Sequence, residues 1–323
     1  WRRGSNSMAK RRRKLFVELH SSVRALNIRS DVMREIECRL PELTFEYLSS
    51  QAELQRRIAE PHYAACWNFP ASLYRRAKNL RAVFTPAAGR DWVDRDPDGR
   101  VATYYGSFHG AMISESLLAM MLYFNNRFGT TLSRKAAREF DRDMQMPRTR
   151  LAQHRVLIVG YGNIGVHCAR LLRGFGCTVV GTKRSPRATR DRRTGARLVP
   201  FSRLMDELPL ADHVVDLLPG DTSTKGLINR RHFAAMRAGA WFYNFGRGTS
   251  VNESDLVDAL KRGRMAGAGL DVFEREPLPA RSPLWQLDNV LITPHSSCCY
   301  SEYGRLFAHE MAGRLRRLLA RER

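Results

Sequence analysis

At 323 residues the chain is long enough for two domains of ordinary size, each with its own core. Its 43% apolar and 27% charged residues are typical of a globular protein in water, and no apolar run approaches the ~20 residues a membrane span needs. The net charge of +22 invites a nucleic-acid partner, but only seven of the 54 cationic residues are lysines, scattered as a GC-rich coding sequence would scatter arginine; no specific nucleic-acid partner is expected.

Met8 reads as the natural start, which leaves Trp1 to Ser7 as a tag or upstream translation. The basic run "KRRRK" (10–14) reads as a solvated N-terminus rather than a nucleic-acid arm. "LFVEL" (15–19) then reads as a first strand, with "TFEYL" (44–48), "YAACW" (63–67) and "RAVFT" (81–85) as further strands of one sheet. "SESLLAMMLYFNNRFG" (114–129) predicts a long apolar helix stopped by Gly129, followed by a polar linker over about 130–150.

"RVLIVG" (155–160) opens a second alternating region. A Gly-rich turn and the helical "VHCARLLRGFG" follow it, then the strands "CTVVGT", "HVVDLL", "AWFYNF", "GAGLDV" and "VLIT". Each is brief and nearly all apolar, as parallel strands covered on both faces are. The tail from Tyr303 predicts an amphipathic helix with Leu306, Met311, Leu315 and Leu318 on one face. The six cysteines show no metal or redox spacing, no metal is expected, and free thiols in a reducing cytoplasm are the default. Cys298 and Cys299 are read as packing residues.

Gly160, Gly162 and Gly165 form G-x-G-x-x-G between a strand and a helix, the context that gives the motif meaning. Gly160 allows the tight turn, Gly162 lets a pyrophosphate approach the backbone, and Gly165 lets helix and strand pack closely. An NAD site of this kind places Asp or Glu at the end of the second strand to hold the ribose 2′-OH. Here Lys183 and Arg184 stand in that place, with Arg187 nearby and Thr182 and Ser185 offering hydroxyls. Two cations attract a 2′-phosphate that a carboxylate would repel, so the cofactor expected is NADP(H), with NAD(H) as the weaker option.

"LLPGDTSTKGLIN" (217–229), "FGRGTSVNESDLVDALKRG" (245–263), "AGAGLDVFEREPLP" (266–279) and "SPLWQLDNVLITPH" (282–295) follow in order. With "NLRAVFTPAAGRDWV" (79–93) and "HGAMISE" (109–115), they make the chain resemble the D-isomer-specific 2-hydroxyacid dehydrogenases. The resemblance implies two α/β domains with a cleft between them. A doubly wound parallel-sheet (Rossmann) cofactor domain would span 112–295, and a smaller flavodoxin-like substrate domain 8–111 and 296–323. It implies a catalytic set of Arg247, which holds and polarises the substrate, Glu276, and His295 as acid/base. It also implies carboxylate binding by the Ala88 and Gly89 amides. Besides the glycines and the Thr182–Ser185 run, cofactor contacts are implied for Asn163, Ile164, Leu218, Pro219, Thr224, Phe245 and Gly246. Asp271 would meet the nicotinamide.

These residue types suit the chemistry. Reducing a 2-oxo acid needs a hydride at carbon 2 and a proton on the oxygen, and histidine exchanges protons near neutrality. A carboxylate on its other nitrogen favours the charged imidazole, and an arginine fork matches a planar carboxylate. Arg90 is read either as a contact to a second acidic group or as an outward-facing surface arginine. The resemblance further implies a homodimer and a small substrate such as glyoxylate or hydroxypyruvate. A different function class is carried beside it: the C-terminal-binding-protein corepressors keep this fold and these residues but act as binding scaffolds.

Overall fold

The computed structural model describes residues 12–140 and 149–322; Met8, the start of the basic run and the middle of the linker lie outside them. The chain divides into two compact units, one up to Phe108 plus the segment from Cys299, the other His109–Cys298. The crossings thus fall at 108/109 and 298/299, against the 111/112 and 295/296 implied by resemblance.

The first unit holds β1 (Arg13–Glu18), β2 (Leu43–Tyr47), β3 (Tyr63–Cys66), β4 (Ala82–Thr85) and β5 (Ala102–Tyr105). They form an all-parallel sheet in the order β2-β1-β3-β4-β5, the flavodoxin-like order. Its helices are α1 (Ser30–Glu37) and α2 (Gln51–Arg57). The Ser50 hydroxyl caps α2 by accepting from the Glu53 amide at 3.3 Å. The basic run does not end as a solvated arm. Arg13 and Lys14 begin β1, where Arg13 pairs with Glu322, and Lys14 Nζ sits 3.0 Å from both Glu46 and Glu60.

The second unit begins with α3 (Gly110–Asn125) and α4 (Phe128–Ala137). The helix expected to stop at Gly129 ends four residues earlier, because Arg127 adopts a left-handed conformation and breaks the run. Gly129 falls inside α4. The sheet contains β6 (Arg155–Val159), β7 (Thr178–Lys183), β8 (Arg197–Pro200), β9 (His213–Asp216), β10 (Trp241–Asn244), β11 (Gly267–Leu270) and β12 (Val290–Ile292). Their order, β12-β11-β10-β9-β6-β7-β8, reverses between β6 and β9, which is the doubly wound topology. Intervening helices are α5 (Asn163–Gly174), α6 (Leu204–Glu207), α7 (Arg230–Ala235) and α8 (Glu253–Lys261). Successive β6 residues feed opposite apolar layers, Leu157 and Val159 into one, Val156 and Ile158 into the other. That double coverage explains why these strands read as unbroken apolar runs.

The tail forms α9 (Tyr303–Arg321), which belongs to the first unit. Its buried face is Tyr303, Phe307, Met311, Leu315 and Leu319. The expected face is therefore rotated, with Leu306 and Leu318 only half-buried.

One buried base affects stability. His213 opens β9 at 1% exposure, with Nε2 2.8 Å from His154 Nδ1 and Nδ1 3.2 Å from the Tyr243 hydroxyl. Burial, reinforced by His154, pushes its pKa from 6.5 down to about 3. The folded imidazole stays neutral while the unfolded chain takes up a proton, so this contribution is complete above pH 6.5 and lost as pH falls. The expected result is a lower Tm at pH 5 than at pH 7, with a smaller drop in His213→Gln. Identical pH dependence in variant and wild type would exclude His213 as the cause.

Candidate active site

The glycine turn after β6 is built as the motif requires. Gly160 has φ +91°, and a Cβ there would lie 2.9 Å from the Leu217 carbonyl. A Cβ on Gly165 would press to 3.4 Å against Ile158 and the Gly160 carbonyl, which is the close helix–strand approach. Beside Gly162 there is open space to 4 Å. Asn163 and Ile164 form the first turn of the 12-residue α5, whose N-terminus is the positive end of the helix dipole and favours a pyrophosphate. These residues fit a dinucleotide.

At the end of β7, Lys183, Arg184 and Ser185 are exposed, and Arg184 Nη2 donates to the Ser223 hydroxyl at 3.2 Å. Thr182 departs from expectation. It is fully buried, and its hydroxyl accepts from the Gly160 amide at 3.3 Å, so it braces the glycine turn and offers nothing to a phosphate. In the loop beyond β9, Leu218 and Thr224 are buried and Pro219 is exposed. The Thr224 hydroxyl donates within the loop, to the Pro219 carbonyl at 2.5 Å or the Asp221 carbonyl at 2.9 Å. Phe245 is buried at the end of β10, and a Cβ on Gly246 would lie 2.5 Å from the Leu218 carbonyl.

Arg247 follows directly. Its stem passes where a Gly220 side chain would stand, with Cγ 2.9 Å from that position, and its guanidinium Nη1 donates to the Gly246 carbonyl at 3.1 Å. The next residue ties this turn to the β11 loop: a Cβ on Gly248 would lie 1.8 Å from the Phe273 carbonyl carbon, a backbone crossing only glycine permits.

Beyond β11 and β12, His295 and Glu276 come together. His295 Nδ1 and Glu276 Oε2 are 2.7 Å apart, and Glu276 Oε1 accepts from the Phe273 amide at 3.0 Å. His295 has φ +50°, and its amide donates to the Asp271 carbonyl at 2.8 Å. The hydrogen bond to Glu276 raises the His295 pKa above its ordinary value, against burial, which lowers it. Burial pushes the Glu276 carboxyl up, but His295, the Phe273 amide and Arg247 together hold it below its usual range.

Asp271 braces the same turn. At 1% exposure its carboxylate is spent on the His295 turn, accepting from Thr293 Oγ1 at 2.7 Å, the Ser296 amide at 2.9 Å and the Ser297 amide at 3.2 Å. It holds the His295 turn in place through the backbone.

Arg247, Glu276 and His295 thus gather in the second unit. Ala88 and Gly89 belong to the first, just past β4, with Ala88 exposed and Gly89 half-buried. Arg90 is also exposed, its guanidinium 5.8 Å above the Tyr105 ring. Sequence reading missed Gly220, the last residue of "LLPG", and Gly248, whose signal is a small residue directly after the arginine. It also missed Asp216, an acid inside the apolar run "HVVDLL".

Comparison with known proteins points the same way. A family model described as D-isomer specific 2-hydroxyacid dehydrogenase, NAD binding domain, matches residues 118–297. The glyoxylate/hydroxypyruvate reductase B of Yersinia pestis is 33% identical over 225 residues, 68% of each chain. A D-isomer specific 2-hydroxyacid dehydrogenase of Xanthobacter autotrophicus, solved with NADPH and MES, superposes with TM-score 0.81 at 29% identity over 95% of each chain. The NADPH-dependent glyoxylate/hydroxypyruvate reductase of Sinorhizobium meliloti, solved with NADP and sulfate, gives 0.79 at 27% over 95% of each.

Proposed function

The chain belongs to the D-isomer specific 2-hydroxyacid dehydrogenase family, and from that premise we propose that it reduces a small 2-oxo acid such as glyoxylate or hydroxypyruvate with NADPH. It is an oxidoreductase acting on 2-hydroxy acids and their 2-oxo partners. In this reading Arg247 grips the substrate carboxylate, His295 gives the proton and Glu276 keeps that histidine charged. The observation that carries the reading is the 2.7 Å His295–Glu276 pair in one unit with Arg247.

A bound dinucleotide supplies the hydride. The residues of this chain supply the rest. Glu276 accepts the Nδ1 proton of His295, which leaves Nε2 as the nitrogen that holds a proton for the substrate oxygen. Because Glu276 raises the histidine pKa, the proton donor stays loaded further into the alkaline range than a free histidine would. Arg247 presents a planar fork that matches a carboxylate and draws charge from the adjacent carbonyl. The reading extends to a homodimer paired through the second unit and to a cytoplasmic setting; equilibrium sedimentation tests the first.

Lys183 and Arg184, exposed at the end of β7, support NADP(H), and the Xanthobacter and Sinorhizobium relatives were solved with NADPH and NADP. The testing experiment assays glyoxylate, hydroxypyruvate and bulkier 2-oxo acids against both reduced cofactors. We expect NADPH to be preferred by about tenfold or more in kcat/KM, which is ~1.4 kcal/mol. Lys183→Asp combined with Arg184→Ala should shrink or reverse that preference while kcat at saturating cofactor holds. Equal use of NADH and NADPH by the wild type would sink the cofactor choice, and no turnover on any 2-oxo acid would favour a corepressor-like scaffold.

A further inference from the structure

The turn that carries Arg247 rests on a buried acid that plays no part in the reaction above. Asp216 closes β9 with no exposed surface. Strand register sets it beside Val159 of β6 and Asn244 of β10, on the apolar face that includes Val214, Leu218, Val251 and Leu270. One carboxylate oxygen accepts from the Leu218 amide at 2.8 Å. The other lies 2.5 Å from the Ser250 hydroxyl, and that hydroxyl lies 2.6 Å from the Arg247 carbonyl oxygen. The same carbonyl accepts from the Ser250 amide at 3.1 Å and from Asn244 Nδ2 at 3.2 Å.

Two oxygen–oxygen separations this short are hydrogen-bond distances, so each needs a proton between its oxygens. The Ser250 hydroxyl carries one. The other must sit on Asp216, which then donates to Ser250 while Ser250 donates to Arg247. An ionised Asp216 claims the only proton and sets Ser250 against the Arg247 carbonyl lone pair to lone pair, which moves the turn.

We propose that Asp216 and Ser250 are positioning residues for Arg247, and that the proton shared along Asp216, Ser250 and the Arg247 carbonyl sets the affinity for the 2-oxo acid. The inference rests on Arg247 holding the substrate carboxylate. Burial raises the Asp216 carboxyl to about 7, with the Ser250 and Leu218 donors pulling it partly back, so the row changes state within the working range of the enzyme. Val159 and Asn244, the partners from β6 and β10, do not titrate. Arg247 on the turn, Asp221 beyond β9 and Tyr243 in the opposite apolar layer are the ionisable groups of the adjoining segments, and no charged group contributes to the shift.

The test is the KM for the 2-oxo acid at saturating NADPH from pH 6 to pH 8. In the wild type KM rises about threefold to tenfold across that range as the row loses its proton. Asp216→Asn keeps an acceptor for the Leu218 amide and a permanent donor for Ser250. It should match the wild-type KM at pH 6 and hold it to pH 8, with the decline of kcat from His295 deprotonation unchanged. Ser250→Ala should raise KM by about tenfold at both ends while leaving the KM for NADPH alone. The positioning role is overturned if Asp216→Asn follows the wild-type pH profile or if Ser250→Ala keeps the wild-type KM. Arg247→Lys, run in parallel, separates the two ideas. If it leaves KM unchanged, the carboxylate role of Arg247 falls and this inference with it; if it raises KM while Asp216→Asn tracks the wild type, only the positioning role falls.

Discussion

His295→Ala is expected to cut turnover of the 2-oxo acid by about 10²-fold to 10⁴-fold, the usual cost of losing a positioned general acid. The motive is the short contact of its Nδ1 with Glu276, which leaves the other ring nitrogen to serve the substrate. The dinucleotide elements lie elsewhere, at Gly160–Gly165 and the end of β7, so NADPH affinity measured by fluorescence titration should stay near that of the wild type. The variant should also lose the alkaline limb of the pH–rate profile, since that limb reports His295 giving up its proton. Turnover at the wild-type rate with a preserved limb would remove His295 from the chemistry.

The second large effect is expected at Arg247. Lysine keeps the charge but is a point cation on a flexible stem, without the fork that binds both carboxylate oxygens. Arg247→Lys should therefore raise the KM for the 2-oxo acid by about tenfold to a hundredfold, or ~1.4 to 2.8 kcal/mol. If the arginine also draws charge from the reacting carbonyl, kcat falls as well, because that interaction strengthens only in the transition state. The packing of the stem past Gly220 argues for a fixed fork rather than a waving surface charge. Steady-state kinetics with saturating NADPH decide it: unchanged KM and kcat would place Arg247 outside the substrate site.

Much of the architecture was legible because parallel strands buried on both faces leave short, unbroken apolar runs, and ten of them stand out in the chain. The two that escaped, β5 and β8, lie on sheet edges and mix polar with apolar residues, so their period carries little signal. The helix boundary at Asn125 depends on a left-handed Arg127, which no side-chain pattern announces. At the site, the motifs supplied the identities of Arg247, Glu276 and His295. They did not show that Thr182 and Asp271 face inward, because a threonine hydroxyl and an aspartate serve a ligand or a backbone turn equally well. The choice is made by which N–H groups the fold leaves without partners, Gly160 in one case and Ser296 and Ser297 in the other.

The return of α9 to the first unit has a consequence for biosynthesis. The ribosome releases residues 109–298 as one continuous stretch, so β6 to β12 are all available before α9 is made. The five-stranded unit is synthesised first but must wait. Until α9 emerges, α1 lacks the helix it packs on, Pro86 lacks the Tyr303 hydroxyl, and Arg81 lacks the Glu322 carboxylate 2.8 Å away. The central stretch of the chain thus forms the unit free to fold first, and the segment before it stays exposed to proteases and chaperones until α9 has been made.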